Sequence, residues 1–281
     1  MFTTLISAET LSAYRADPAW VIVDCRFDLA DTGWGGREYA VGHIPGAVYA
    51  HLDRDLSGPK TGANGRHPLP HPARLAETFG RWGIGEGVQV VAYDQPGGIY
   101  AARLWWLLRW LGHDAAAVLD GGLARWTEAG LPLTTDPPQR APRAFIPKPR
   151  RELWLDADEI EQVRQDPAWR VVDARAPARF RGEMEPIDPV AGRIPGAVNF
   201  FIQEALGPEG TLRPREELAA RLRAPLGDTP PERVAAYCGS GVAAAQAVLV
   251  LEAAGLPGAK LYPGSWSEWV SDPARPVATG D

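Results

Sequence analysis

Cysteine is scarce in this sequence, which has only Cys25 and Cys238 among its 281 residues. Two cysteines cannot build a disulfide framework or a cysteine-rich zinc site, so neither is expected to hold the fold together. A bridge between the two is also disfavoured, because such bridges are rare in the reducing compartment that this composition suggests. The count leaves room for a single reactive thiol.

Long hydrophobic runs are absent as well. The longest apolar stretch, Val242 to Leu251, is interrupted by Gln246 and is too short to cross a bilayer. The first residues, Met1 to Glu9, lack the basic and apolar regions of a signal peptide. We therefore expect a cytoplasmic protein with no membrane partner.

Positive charge is in short supply. The net charge is −6, and the sequence contains no long run of basic residues. Nucleic-acid binding requires a basic face that neutralises phosphates, so we expect no nucleic-acid partner. Hydrophobic residues make up 45% of the chain, which is the usual share for a globular protein.

What the sequence does contain is one long internal repeat. RADPAWVIVDCR at Arg15–Arg26 returns as RQDPAWRVVDAR at Arg164–Arg175, and GHIPGAV at Gly42–Val48 returns as GRIPGAV at Gly192–Val198. A repeat of this length indicates a duplicated domain and not a solenoid. The proline-rich segment 131–149 predicts an extended linker between the copies. We place the two domains at residues 1–141 and 142–281.

Each copy alternates short β-branched runs with longer helical patterns. Val21–Val23 and Val234–Tyr237 predict buried strands. Tyr100–Leu111 and Ala243–Ala254 predict helices, the second of which should end at Gly255. Strands that alternate with helices predict an α/β fold in each copy, with helices on both faces of a parallel sheet.

The two copies differ in the loop that follows one of these strands. The second copy reads Tyr-Cys-Gly-Ser-Gly-Val at 237–242, whereas the first reads Tyr-Asp-Gln-Pro-Gly-Gly at 93–98. Ligands bind beyond the carboxyl ends of parallel strands, where these loops should lie. Gly239 and Gly241 allow the backbone N–H groups, up to that of Val242, to point inward as an anion-binding nest. The helix that follows adds the positive end of its dipole.

A cysteine in such a loop should exist largely as the nucleophilic thiolate. This context favours a reactive Cys238 over the alternative of a small buried hydrophobic residue. Cys25 follows Val-Ile-Val-Asp in a predicted strand and fits the inert alternative. The first copy carries Asp94 where the second has its thiol, so we expect the first copy to be structural.

Together these motifs resemble the tandem-domain rhodanese family. The resemblance rests on the Asp-x-Arg pairs at 24–26 and 173–175, the two Gly-x-Ile-Pro-Gly-Ala segments, and the Cys238 loop. It extends from about Leu5 to Val277. It implies two tandem rhodanese-like domains, an inactive first and a catalytic second, with sulfur carried on Cys238 as a persulfide.

Within that family, Cys-Gly-Ser-Gly-Val is similar to the loop of the 3-mercaptopyruvate sulfurtransferases. The resemblance implies transfer of sulfur from 3-mercaptopyruvate to a thiol, cyanide or thioredoxin, with no metal or other cofactor. The thiosulfate sulfurtransferases are next nearest and usually have Arg and Lys after the cysteine. Here Gly239 and Ser240 offer a dianionic donor only backbone dipoles, so thiosulfate is the alternative donor.

The resemblance also implies further site residues. Asp53 and His67 match an Asp and a His that form a proton relay with the loop serine, here Ser240. Arg179 matches an arginine that holds the donor's carboxylate, which suits the planar fork of a guanidinium. Gly239, Gly241 and Val242 would contact the donor through their N–H groups.

Two departures from the family pattern bear on the donor. Ile187, in Glu-Pro-Ile-Asp, stands where a second arginine is expected, which leaves the carboxylate to Arg179 with help from Arg181 or Arg193. Ala243 replaces a threonine and removes one hydrogen bond from the loop. The first departure leaves the preference between the two donors open.

Three other functions compete with this interpretation. A cysteine phosphatase needs an arginine six residues after the cysteine, where this chain has Ala244. A zinc site at His67 and His71 lacks a third ligand at a suitable spacing. A non-catalytic binding module of the same fold stays open, and it would acquire no sulfur from a donor.

Overall fold

The computed structural model describes residues 1–280, which divide into two compact units. The first contains residues 1–57, 70–150 and 207–212. The second contains residues 58–69, 151–206 and 213–280. Each unit therefore includes one short segment from the other half of the sequence. The division at residue 142, as the limit between independently folding domains, stays a prediction.

The first unit is built on a five-stranded parallel sheet with strand order β1-β5-β4-β2-β3. Its elements are β1 (Leu5–Ile6), α1 (Ala8–Tyr14), β2 (Trp20–Asp24), α2 (Trp34–Val41), β3 (Val48–Tyr49), α3 (Leu52–Asp55), α4 (Pro72–Arg81), β4 (Gln89–Tyr93), α5 (Ile99–Trp110), β5 (Ala116–Leu119) and α6 (Gly122–Glu128). Every residue of β2 and β4 is buried, as expected for central strands covered on both faces.

The second unit repeats this plan with four parallel strands in the order β7-β6-β8-β9. Its strands and α-helices are α7 (Ala157–Val163), β6 (Arg170–Asp173), α8 (Pro177–Phe180), β7 (Val198–Asn199), α9 (Arg215–Leu226), β8 (Val234–Tyr237), α10 (Val242–Ala253), β9 (Lys260–Leu261) and α11 (Ser265–Trp269). Trp154 forms an isolated parallel bridge with Leu261, in the position that β1 occupies in the first unit. Three 3₁₀ helices complete the unit, at Arg151–Leu153, Ile202–Ala205 and Pro231–Arg233.

The predicted α/β fold is confirmed in both units. The predicted strands lie within β2 and β8, and the predicted helices correspond to α5 and α10 within one residue. The helix α10 ends just before Gly255, as predicted. The φ of Gly255 is +81°, in the left-handed region that is common after the last residue of a helix.

The Asp-x-Arg motif forms the same buried arrangement twice. In the first unit, Arg26 donates to both carboxylate oxygens of Asp24 and, through Nη2, to the carbonyl of Gly42 at 2.7 Å. The hydroxyl of Tyr93 donates to the same Asp24 at 2.7 Å. These bonds tie the ends of β2 and β4 to the Gly-His-Ile-Pro loop.

In the second unit, Arg175 likewise donates to Asp173 and to the carbonyl of Gly192 at 2.7 Å. The backbone N–H of Ile194 donates to the hydroxyl of Tyr237, as that of Ile44 donates to Tyr93 in the first unit. The shared motifs therefore form the scaffold beneath the loops that differ.

The predicted linker is hydrogen-bonded to the rest of the first unit. Residues 131–149, all within the described part of the chain, form neither helix nor strand. The N–H groups of Arg143 and Lys148 donate to the carbonyls of Gly80 and Leu111, at 2.9 and 2.8 Å. Among residues 1–280, no helix combines the length and apolar character needed to span a membrane.

Candidate active site

The loop between β8 and α10 encloses the sulfur of Cys238. The side chain is only 4% exposed, and its Sγ accepts the N–H groups of Ser240 at 3.5 Å and Gly241 at 3.2 Å. The helix α10 is twelve residues long and begins at Val242, directly after these donors. The loop thus has the geometry of an anion-binding nest around sulfur, with a helix N-terminus behind it.

Gly241 permits this loop shape. Its φ is +80°, and a Cβ there would lie 2.2 Å from the carbonyl oxygen of Pro263. Both observations exclude any residue with a side chain, because the backbone would be strained and the loop would have to move.

The segment that begins α11 supports the loop from below. The N–H of Cys238 donates to Oγ of Ser265 at 3.0 Å, and the N–H of Trp266 donates back to the carbonyl of Cys238 at 3.0 Å. Ser265 has a φ of +55°, the one left-handed non-glycine residue among those described. Its hydroxyl satisfies a buried N–H that would otherwise lack a partner.

His67 and Ser240 meet in the second unit, although 173 positions separate them in the sequence. Nδ1 of His67 and Oγ of Ser240 are hydrogen-bonded at 2.7 Å, and both side chains are buried. His67 belongs to the segment 58–69, which comes from the first half of the chain. Two of the three relay residues suggested by the sequence are thereby brought together.

Asp53, the third suggested relay residue, lies in α3 of the first unit and is partly buried. Its backbone N–H donates to Nδ1 of His51 at 3.2 Å, as part of the cap of that helix. Its participation in the relay stays a prediction.

Arg179 lies beside the loop with its guanidinium held by two carboxylates. Its Nε and Nη2 donate to Glu185 at 3.0 and 2.6 Å, and Nη2 also donates to Asp188 at 3.3 Å. Burial favours a raised pKa for Glu185, but its hydrogen bonds from Arg179 and from backbone N–H groups outweigh burial and lower the pKa. Glu185 therefore stays ionised at neutral pH and orients the arginine.

A second arginine at the loop, Arg66, is one that sequence reasoning missed. Its Nε and Nη2 donate to the two oxygens of Asp188 at 2.9 and 3.1 Å. A Cβ on Gly239 would lie 2.7 Å from Nη2 of Arg66 and 3.5 Å from Nη2 of Arg179. Gly239 thus leaves the space in which both guanidinium groups approach the loop. The only sequence signal was the position of Arg66 directly before His67.

These contacts bear on two expectations. The loop does not offer backbone dipoles alone, because two guanidinium groups lie against Gly239. The suggested helpers of Arg179 have other partners. Arg181 pairs with Glu183, and Arg193 stacks over the ring of Phe180 at 4.4 Å.

The corresponding loop of the first unit holds a carboxylate. Asp94 is 1% exposed, and its Oδ2 accepts the N–H groups of Tyr100 at 2.7 Å and Ala101 at 3.1 Å. Burial raises the pKa of Asp94 to about 7. Burial, with nearby Asp94 and Asp24, also raises the pKa of the Cys25 thiol well above its usual range. Cys25 is therefore a protonated core residue.

Neither cysteine forms a disulfide. Within residues 1–280, no group of three or more His, Cys, Asp or Glu side chains is arranged to hold a metal ion. The ring of His71 instead caps α4, where Nδ1 accepts the N–H of Ala73 at 3.3 Å.

Comparison with known proteins matches both halves of the chain to one family, described as Rhodanese-like domain, over residues 7–129 and 156–272. A probable 3-mercaptopyruvate sulfurtransferase of Pseudomonas aeruginosa is 48% identical, over 99% of this chain and 98% of that protein. A putative thiosulfate sulfurtransferase of Mycobacterium tuberculosis is 40% identical, over 98% of this chain and 96% of that protein.

A similar solved structure is that of 3-mercaptopyruvate sulfurtransferase from Leishmania major. It superposes with a TM-score of 0.83 at 30% identity, and the match covers 95% of this chain and 74% of that one. The duplicated fold and the family resemblance expected from the sequence are thereby confirmed.

Proposed function

The chain belongs to the rhodanese family and is a sulfurtransferase, and we propose that it transfers sulfur from 3-mercaptopyruvate to a thiol or cyanide through a persulfide on Cys238. The observation that carries this proposal is the buried Sγ of Cys238 with two backbone N–H groups directed at it. Such donors stabilise a thiolate before the reaction and a persulfide anion after it.

The first half-reaction begins with attack of the Cys238 thiolate on the sulfur of 3-mercaptopyruvate. A sulfur–sulfur bond forms and the donor's carbon–sulfur bond breaks, with its electron pair passing to the carbon. The carbon fragment leaves as the enolate of pyruvate and takes up one proton. Cys238 is left as a persulfide, and no metal or organic cofactor is needed.

Ser240 and His67 are suited to supply that proton. Their 2.7 Å hydrogen bond allows the serine hydroxyl to give a proton to the enolate while the imidazole replaces it. Asp53 would orient or balance the charge of the imidazole, as the family resemblance implies. A leaving group that needs no proton would not depend on this relay.

Arg179 would hold the carboxylate of the donor. Glu185 and Asp188 accept from its Nε and Nη2, which orients the guanidinium and leaves Nη1 for the donor. The N–H groups of Gly239, Gly241 and Val242 would contact the reacting sulfur and the charge that develops on it.

In the second half-reaction an acceptor thiolate or cyanide attacks the outer sulfur and restores the Cys238 thiolate. We include reduced thioredoxin among the acceptors because a dithiol can release the sulfur as sulfide while it becomes a disulfide. We also propose a cytoplasmic location, where thiol acceptors are kept reduced.

Thiosulfate is the second candidate donor. It is favoured by the two guanidinium groups beside Gly239, whose N–H groups can bind the oxygens of an anion in addition to the backbone dipoles of the loop. With thiosulfate, the leaving group is sulfite and the relay of Ser240 and His67 has no proton to deliver.

The test is mass spectrometry of the intact protein after incubation with 3-mercaptopyruvate. We expect a gain of about 32 Da, one sulfur atom, on the wild-type chain and its removal by cyanide. Cys238→Ser should lose both the adduct and turnover. Cys25→Ser is the matched control and should keep both, because that thiol is a protonated core residue.

Steady-state rates with each donor decide between the candidates. We expect a higher kcat/KM for 3-mercaptopyruvate than for thiosulfate. A higher value for thiosulfate would make that the donor, and turnover by Cys238→Ser would remove the persulfide mechanism altogether.

A further inference from the structure

We propose that Arg66 is a donor-binding residue that supplies the second guanidinium for the donor's carboxylate, the one missing at Ile187. This inference rests on the proposed function and names a determinant of its substrate specificity. It assigns the role to the segment 58–69 and not to the Glu185–Asp188 segment, from which Ile187 projects with 49% exposure.

The geometry of Arg66 mirrors that of Arg179. Each arginine spends its Nε and Nη2 on a carboxylate, Asp188 for Arg66 and Glu185 for Arg179. The two Nη2 atoms share one oxygen, Oδ2 of Asp188, at 3.1 and 3.3 Å. The contacts of the described residues engage neither Nη1, so each guanidinium keeps N–H donors for a ligand.

The position of the pair relative to the loop points to a ligand. Both guanidinium groups lie within van der Waals reach of the place where a Cβ of Gly239 would stand. Gly239 directly follows Cys238, so an acid group held there keeps the donor's sulfur near Sγ. Arg66 is only a quarter exposed, and a backbone bond fixes its base, since its N–H donates to Oγ of Ser267 at 3.0 Å.

The formal charges of Arg66 and Arg179 are matched by those of Asp188 and Glu185. Recognition of the donor therefore depends on the directed N–H groups of two forks rather than on an excess of positive charge. A lysine has a single ammonium group with no fixed fork, so it should not replace Arg66.

The test measures kcat and KM for 3-mercaptopyruvate in Arg66→Ala and Arg66→Lys. Loss of one charge-assisted bond pair should lower kcat/KM about 10- to 150-fold, mostly through a higher KM. The lysine variant should recover only a small part of this. Arg181→Ala removes an equal charge from the same unit and is the matched control, with unchanged KM.

A second variant separates donor binding from damage to the neighbouring His67. Ile187→Arg should change little in the wild-type chain but should restore KM to within about threefold in the Arg66→Ala chain. Displacement of His67 would instead lower kcat at saturating donor and would not be rescued from position 187.

The outcomes distinguish this inference from the proposed function. If Arg66→Ala keeps the wild-type KM while Cys238→Ser abolishes turnover, the sulfur transfer stands and the role of Arg66 is overturned. A lower kcat with unchanged KM would likewise overturn it and make Arg66 a support of His67. If the wild-type protein gains no sulfur from 3-mercaptopyruvate, the proposed function itself fails.

Discussion

The two units have the same scaffold and differ in one loop. In both, a buried Asp–Arg pair ties the central strands to the Ile-Pro-Gly loop with matching hydrogen bonds. In both, a buried strand leads into a loop at the N-terminus of a twelve-residue helix. The second unit directs its N–H groups at a sulfur, whereas the first directs them at its own carboxylate.

This difference supports the proposal that the first unit has kept the fold of the second but has no sulfur-transfer site. The loop of the first unit is one residue longer, since α5 begins at Ile99 and α10 at Val242. Asp94 caps the helix through Oδ2, so the anion nest is occupied by a side chain of the chain itself. A nest that is filled internally stabilises its helix but has no capacity for an external anion.

The two cysteines teach the same lesson about environment. Cys25 is buried near Asp94 and Asp24, and both burial and these carboxylates disfavour its thiolate. Cys238 is almost as buried but has N–H donors at its sulfur. Burial is shared, so the two thiols differ in the groups directed at their sulfurs, and this difference supports the proposal that Cys238 alone is the nucleophile.

The largest effect is expected from a change that distorts the Cys238 loop and so removes what distinguishes the second unit from the first. In Gly241→Ala the new Cβ would collide with the carbonyl of Pro263, and the loop would withdraw its N–H groups from Sγ. We expect turnover with either donor to fall about 1000-fold, at the upper end of what loss of such donors costs. Stopped-flow and steady-state assays would measure it.

The matched control for that variant is Gly87→Ala. Gly87 has a similar φ of +76°, but no atom lies within 4 Å of its Cβ position. It should lose about 1–2 kcal/mol of unfolding free energy from backbone strain and keep its activity. Equal loss of activity in both variants would mean that backbone strain, and not the loop geometry, explains the effect.

A smaller effect should follow from breaking the bond between His67 and Ser240. His67→Ala and Ser240→Ala should each slow turnover of 3-mercaptopyruvate about 100-fold, and the double variant should be no slower than either. Turnover of thiosulfate should change far less, because sulfite leaves without a proton. His71→Ala is the control.

Asp53→Asn tests the third relay residue in the same assay. A rate with 3-mercaptopyruvate that matches His67→Ala would place the carboxylate in the relay. Wild-type rates in Asp53→Asn would remove Asp53 from the relay and leave His67 and Ser240 in it. Wild-type rates in His67→Ala would show that the reaction does not use the relay.

The smallest effect concerns the first unit and appears in stability alone. Burial raises the pKa of Asp94 from 3.8 to about 7, so the folded chain binds a proton that the unfolded chain has released. The extra bound proton stabilises the folded chain. Its contribution to the free energy of unfolding is complete below the unfolded pKa and is lost as the pH rises through 7. Asp94→Asn imitates the protonated acid at every pH. Between pH 5 and 8 its free energy of unfolding should therefore fall by about 1–3 kcal/mol less than that of the wild type.

Hydrogen–deuterium exchange of peptides from β4 and α5 would measure that difference in the full chain. Activity and the single-sulfur adduct should stay as in the wild type, since Asp94 carries no sulfur. The exposed Asp28→Asn serves as control. A change in adduct stoichiometry in Asp94→Asn would contradict the inactive first unit.

Much of the fold could be predicted because it depends on local patterns. The β-branched runs became β2 and β8, and Gly255 ended α10, since strand burial and helix termination are properties of a few neighbouring residues. Asp94 in place of Cys238 also predicted which copy is active, because aligning the repeats puts the two loops in one structural position.

The missed parts are all long-range contacts. Arg66 joins Asp188 across 122 positions, and Ser265 accepts the N–H of Cys238 across 27. No periodicity links such residues, and the family pattern directed attention to Arg181 and Arg193 instead. The partners of Arg66 and Ser265 could be found only from the folded structure.

The sequence by itself determined the duplicated α/β fold, and it predicted which copy is active and that Cys238 is the nucleophile. These follow from spacing, side-chain type and the difference between two aligned loops. Tertiary structure alone decided that the segment 58–69 belongs to the second unit and brings Arg66 and His67 to the Cys238 loop. The physical reason is that hydrogen bonds and ion pairs depend on distances in space, which sequence separation does not specify.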